Sequence, residues 1–395
     1  MLILAALAGL LSVPVAVLLL EVIAALKAPK LQPLEVQELN IEKRVAVIVP
    51  AHNESTGLIP TLHDIKLQLG AADRLIVVAD NCTDDTAAVA AASGAEVIVR
   101  NDLERIGKGF AMGWGIAHLS HDPPDFVLFV DADCRLQVDL IGALKRVCHQ
   151  VQRPVQALFM MQSAENSPIN HSFAEFAWIL RNWIRPLGLR NLGGPVQLMG
   201  TGMMFPWDAI SSVPLASGHL VEDLKLGLDL AEAGKAPYFF PFVQITSTFP
   251  TSAKGTESQR QRWVQGHLGT IGKFVPRLLA VGSMRGDINV LALAFDLLVP
   301  PLSLLALLIA GTTFLTLSAA LLGGGWLPAL IACGNLAAFI LCVFLAWFRF
   351  GRQVFPAHEA LSFGAFALKK IRFYCRMLIG GTASQWIRTD RSTPR

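Results

Sequence analysis

A chain of 395 residues that is 53% hydrophobic and only 16% charged is too apolar for an ordinary soluble domain, where about 25% of residues are charged, and excludes intrinsic disorder. With 33 basic against 30 acidic residues the net charge is +3, too balanced for a nucleic-acid footprint. The six cysteines (Cys82, Cys134, Cys148, Cys333, Cys342 and Cys375) form no CxxC pair, so neither a zinc site nor a disulfide framework is expected.

The first predicted element is a membrane helix over 1–26. Leu2 to Leu20 carries no charge and the apolar run continues past Glu21, long enough to cross about 30 Å of hydrocarbon. A cleaved signal peptide needs basic residues ahead of that run. Here Lys27 and Lys30 follow it, which favours an uncleaved anchor with Lys27 inside. An α/β domain is expected over 40–255. Arg44–Pro50, Arg74–Ala79, Ala95–Val99 and Phe126–Val130 read as strands, with helical patterns over Gly57–Leu69, Asp84–Ser93 and Lys108–Leu119 between them. Such alternation implies a mostly parallel, doubly wound sheet, which binds ligands outside the carboxyl ends of its strands. Those ends are Ala51–Glu54, Asp80–Thr83 and Asp131–Asp133.

Three later stretches are amphipathic: Phe173–Leu189, Gln261–Leu279 within a segment 256–286, and Phe363–Ile379 within 355–395. They suit interfacial helices or half-buried helices of a globular domain, and the neighbouring spans favour the membrane surface. Two further spans are expected at 288–322 and 326–348, parted by Gly323-Gly324-Gly325. Arg277 and Arg285 precede the pair and Arg349 and Arg352 follow it, so both outer ends face the cytoplasm. Asp296 lies in the first of the two, either as a functional intramembrane carboxylate or as one solvated at the interface. The basic tail Arg388–Arg395 reads as a solvated end near anionic lipid.

Polar residues gather at the strand ends. His52-Asn53-Glu54 follows Pro50, and Asp80 opens the next loop; these contact a base or ribose, or only form turns. Asp131 and Asp133 directly follow the fourth strand. Paired carboxylates there suit Mg2+ or Mn2+ shared with substrate phosphates; plain solvation is the alternative. Lys108 at a helix start suits a phosphate contact or a solvated lysine. Gly200-Thr201-Gly202 lets backbone approach a ligand, or simply turns the chain. Glu222 and Asp223 open a helix as caps, or supply a general base at a pocket edge. Gln259-Arg260-Gln261-Arg262-Trp263 is an interfacial anchor or a clamp on sugar and phosphate.

These segments follow one order across about 215 residues: VPAHNE, ADNCTDDT, GKG, DAD, GTG, the Glu222-Asp223 pair and QRQRW. That order resembles the membrane-bound family 2 glycosyltransferases: cellulose, chitin and hyaluronan synthases and their lipid-glycosylating relatives. The resemblance runs from Arg44 to the C-terminal amphipathic helix. It implies a GT-A catalytic domain and an inverting displacement from a nucleotide-diphospho-sugar. It implies that Pro50, Asn53, Glu54, Asp80, Lys108 and Asp131 bind the donor, Asp80 holding a uridine-like base or its ribose. Asp131 and Asp133 match the family's DxD and would hold Mg2+ or Mn2+, Asp133 directly. Asp223 matches the acid of TED, the general base. Gln259, Arg262 and Trp263 match QxxRW and, with Glu222, Gly200, Thr201 and Gly202, would hold diphosphate and acceptor. Val221 departs from TED, the helix start lacks KAxALN, and three spans are fewer than a polymer channel uses.

The leading expectation is a metal-dependent membrane glycosyltransferase that extends a polysaccharide or surface glycan. The alternative keeps the chemistry and passes one sugar to a lipid such as a polyprenyl phosphate, sterol or sphingolipid. A non-enzymatic transporter or scaffold is the third. Expected partners are a UDP-sugar ahead of a GDP-sugar, a glycan or lipid acceptor, membrane lipids, and a partner subunit or second copy. The expected place is the bacterial inner membrane, with the catalytic domain cytoplasmic.

Overall fold

The computed structural model describes residues 1–30, 42–163, 171–215, 219, 221–250 and 252–379. The tail Arg388–Arg395 lies outside them. The elements begin with α1 (Leu2–Ala25), β1 (Val45–Ala51), α2 (Ile59–Lys66), β2 (Arg74–Asp80), α3 (Thr86–Ala92), β3 (Glu96–Arg100) and α4 (Lys108–Leu119). Then come β4 (Phe126–Phe129), β5 (Arg135–Leu136), α5 (Leu140–Val151), β6 (Val155–Gln162), α6 (Ser172–Ile179), α7 (Arg185–Asn191), β7 (Met203–Pro206) and α8 (Trp207–Ile210). The chain continues through α9 (Glu222–Glu232), β8 (Tyr238–Thr248), α10 (Ala253–Arg285), α11 (Ile288–Leu297), α12 (Leu302–Leu321), α13 (Leu327–Ala346) and α14 (Phe363–Ile379).

Two compact units divide the chain. One comprises Pro29–Asn170 and Pro195–Trp263 and holds an eight-stranded sheet in the order β3-β2-β1-β4-β7-β6-β8-β5. β1 to β4 pair in parallel, as does β6 with β8, while β7 runs antiparallel between β4 and β6. Ile48, Ile76, Val78, Val127 and Phe129 are fully buried against Met112 and Leu119 of α4. Strands covered on both faces read as continuous apolar runs, which is why the first strands were legible. Their parallel register brings the ends of β1, β2 and β4 to one edge: Pro50 pairs with Val78, and Ile48 with Phe129.

The other unit comprises Met1–Ala28, His171–Gly194 and Val264–Ser384. Residues 171–194, expected within the 40–255 domain, therefore belong with the apolar helices. Arg185 and Gly188 explain the difference. Arg185 Nε donates to Glu21 Oε2 at 2.7 Å, and its Nη2 donates to the Asp296 carbonyl at 2.6 Å and to the Asp296 carboxylate. A Cβ on Gly188 would stand 2.0 Å from the Glu21 carbonyl oxygen, so only glycine lets α7 lie against α1. Asp296 is 4% exposed, which overturns interfacial solvation as its environment. Among the described residues three helices are long and apolar enough to cross a membrane: Leu2–Ala25, Leu302–Leu321 and Leu327–Gly351. The single span expected at 288–322 is instead two helices. Pro300 and Pro301 between them remove N–H donors and disfavour helix in the residue before each.

Replacing Arg185 with Leu leaves two buried carboxylates facing each other without a cation. The expected loss is about 3–5 kcal/mol, read as a lower thermal midpoint in detergent. Adding Glu21→Leu and Asp296→Leu should restore most of it; an unchanged midpoint for Arg185→Leu would refute the role.

Candidate active site

The site lies in the sheet-containing unit and has two parts. The first is at the ends of β1 and β2. Asn53 takes a left-handed conformation with φ of 56°, and its Oδ1 accepts from the Thr83 backbone N–H at 2.7 Å. The Glu54 N–H donates to Thr86 Oγ1 at 2.9 Å. His52 Nδ1 lies 2.7 Å from the Asp80 carbonyl. Asp80 is buried, and burial pushes its carboxyl above the ordinary range even though Arg100 pulls the other way. Arg100 Nη1 donates to Asp80 Oδ1 at 2.6 Å. Sequence reading passed over Arg100. Its signal was available, since it closes the third strand in register with Asp80.

The second part is carboxylate-rich. Lys108, at the start of α4, pairs with Asp131 and donates to the Gly200 carbonyl at 2.7 Å. Burial works against its charge, but Asp131, Glu222 and Asp223 hold it above its usual value. Gly200 has φ of 92°, and a Cβ there would sit 3.2 Å from Asp223 Oδ2 and 3.6 Å from Lys108 Nζ. Backbone, base candidate and lysine therefore meet at one point. Glu222, beside Asp223 at the start of α9, is pushed up to about 7 by burial and by that neighbour, against the pull of Lys108 and Arg262. Burial lowers Arg262, against the charges of Glu222, Asp131 and Asp223. The fold thus brings together Lys108, Asp131, Glu222, Asp223 and Arg262, residues up to 154 positions apart (262 − 108). Gln259 shares the α10 segment with Arg262 and Trp263, which follow it at helical spacings of three and four residues.

Two expectations about the GTG segment change. Thr201 is fully buried and cannot meet an acceptor; its Oγ1 instead accepts from the Asp131 N–H at 3.0 Å and so holds the DAD turn. Gly202 is committed to the sheet, donating to the Phe129 carbonyl and accepting from the Ala157 N–H, both at 2.9 Å. The DAD turn is held further by Thr61 Oγ1, which donates to the Ala132 carbonyl at 2.8 Å. Ser247 of β8 donates to Asp133 Oδ2 at 2.7 Å. Asp131 and Asp133 offer hard oxygen donors, which fit Mg2+ or Mn2+. Among the described residues no group of three or more His, Cys, Asp or Glu gathers as a metal cage, so substrate phosphates and water would complete the sphere.

Comparison with known proteins bears on this arrangement. The family model described as "Glycosyltransferase like family 2" matches residues 43–266, more than half of the chain. The chain belongs to that family. It is an enzyme of the glycosyltransferase class with a GT-A-type domain. The chain is 28% identical over 268 residues to a 4,4'-diaponeurosporenoate glycosyltransferase of Staphylococcus aureus, covering 62% of this chain and 67% of that one. It is 34% identical over 105 residues to a glucosyl-3-phosphoglycerate synthase of Mycobacterium tuberculosis, covering 25% of this chain and 32% of that one. In fold it is similar to a mannosyltransferase from Pyrobaculum calidifontis solved with GDP-Man and Mn2+. That likeness has a TM-score of 0.54 at 17% identity, covering 89% of this chain and 98% of the other.

Glu222 sets a pH expectation. Its raised value makes the Glu222–Asp223 pair hold a proton below about pH 7 and lose it above. Turnover should therefore rise through pH 7. Glu222→Gln removes the neighbouring charge and should move the acid limb of kcat/KM down by about one pH unit or more. A limb that stays put would show that the pair does not control the rate.

Proposed function

We propose that this glycosyltransferase passes a sugar from a nucleotide-diphospho-sugar, with inversion, to an acceptor held at the membrane, and that Asp223 is the general base. The observation that carries the reading is the meeting of Lys108, Gly200 and Asp223 beside Asp131. An acceptor hydroxyl is a poor nucleophile until its proton leaves. Asp223 takes that proton as the hydroxyl oxygen bonds to the anomeric carbon, and the bond from that carbon to the diphosphate oxygen breaks. One attack on the face opposite the leaving group inverts the centre, so no second nucleophilic carboxylate is required. Lys108 and Arg262 stabilise the charge gathering on the departing diphosphate. A divalent cation held by Asp131 and Asp133 would supply further positive charge to the same oxygens. Asp80, with Asn53, Glu54 and Pro50 nearby in the loop and strand ends, is assigned to the nucleoside, and a UDP-sugar stays ahead of a GDP-sugar. Gln259 and Trp263 are assigned to the acceptor side with Arg262.

The order of the two acceptors changes from the sequence expectation. Single transfer to a lipid moves ahead of glycan extension. Three spanning-length helices among the described residues give little wall for a polymer channel. The two curated relatives are, in addition, named for single small molecules. Lys27, Arg349 and Arg352 at the helix ends support a cytoplasmic catalytic domain at a bacterial inner membrane.

Product size tests the acceptor. Membranes containing the protein, given radiolabelled nucleotide-sugar, should yield one labelled product that extracts into organic solvent. A ladder of water-soluble or insoluble polymer would reverse the order.

A further inference from the structure

Arg100 is a buried cation of the sheet-containing unit that the mechanism above does not use. It is 5% exposed and sits at the carboxyl end of β3, paired in register with Asp80 on β2. Its Nη1 donates to Asp80 Oδ1, and Asn81 Nδ2 donates to the same oxygen at 3.2 Å. Its Nη2 donates to the Arg105 carbonyl at 2.7 Å and lies 3.1 Å from Asp102 Oδ2. Its guanidinium carbon lies 5.4 Å from the centroid of the Phe110 ring, two residues beyond Lys108. The guanidinium thus joins the Asp80 carboxylate, the 102–105 loop and the start of α4.

We propose that Arg100 is a positioning residue that locks Asp80 as a one-sided, ionised acceptor and thereby selects donors whose base presents a ring N–H. The proposal rests on the assignment of Asp80 to the base. Oδ1 is engaged by Arg100 and Asn81, which leaves the ligand to meet Oδ2. An ionised carboxylate only accepts hydrogen bonds. Uracil at N3 and guanine at N1 offer a donor there, whereas cytosine and adenine offer ring-nitrogen acceptors. A protonated Asp80 would have the opposite preference. Burial pushes Asp80 towards that protonated form, so the nearby charge has to oppose it. The charged or titratable groups around it are Arg100 itself, Asp102 on the far side of the guanidinium, and His52 and the Cys82 thiol at the Asp80 carbonyl.

The test uses full-length protein in detergent and measures binding of UDP, GDP and CDP between pH 6 and pH 8. Arg100→Met should weaken UDP and GDP by roughly tenfold or more, with the loss growing as pH falls, and should narrow the preference over CDP. Arg100→Lys should recover most of the affinity at pH 8. Asp80→Asn should lose as much as Arg100→Met, and the double variant no more than either. Arg100→Gln serves if Arg100→Met does not fold. Wild-type affinity and pH dependence in a folded Arg100 variant, with binding lost in Asp80→Asn, would overturn the role of Arg100 and leave the Asp80 assignment standing. Unchanged binding in Asp80→Asn would instead overturn that assignment and this inference with it.

Discussion

Asp131, Glu222 and Asp223 crowd around one lysine, and much of the sheet-containing unit serves that crowding. Negative charge in a partly dry space is costly unless it is paired. Lys108 and Arg262 answer part of it, yet burial first and the Asp223 charge second still push Glu222 up to about 7. A diphosphate alone would deepen the imbalance. A donor bound through a cation on Asp131 and Asp133 would relieve it, which would give physical sense to a DxD turn placed beside the acids.

The turn is held by buried side chains, not by the loop itself. Thr201 grips the Asp131 N–H, Thr61 grips the Ala132 carbonyl and Ser247 grips Asp133. These come from three different segments. Pre-organisation of this kind fixes the carboxylates before substrate arrives, so that binding need not pay to order them. A second buried charge cluster, Arg185 with Glu21 and Asp296, ties α1, α7 and α11 together inside the helical unit.

Much of the fold was legible because its signals are local. Apolar runs of four to seven residues ended at polar loops, and the end rule for parallel sheets pointed at Asp80, Asp131 and Asp133. What stayed hidden depends on tertiary contact or on broken patterns. β7 is four residues long, and Pro241 interrupts β8 near its register shift against β6, so neither reads as a strand. Thr201 between two glycines looks like a ligand loop until its burial is seen. Glu21 and Asp296 look like flaws in apolar helices until Arg185, more than 100 residues from each, reaches both.

The most direct measurement is nucleotide release by purified protein with native lipid extract, across UDP- and GDP-sugars with Mg2+ or Mn2+, comparing wild type with Asp223→Asn. The account predicts release from one donor that needs the cation and the lipid extract and falls by about 10²–10⁴-fold in Asp223→Asn. Equal release by the variant would contradict Asp223 as the base and with it the reading of this carboxylate cluster.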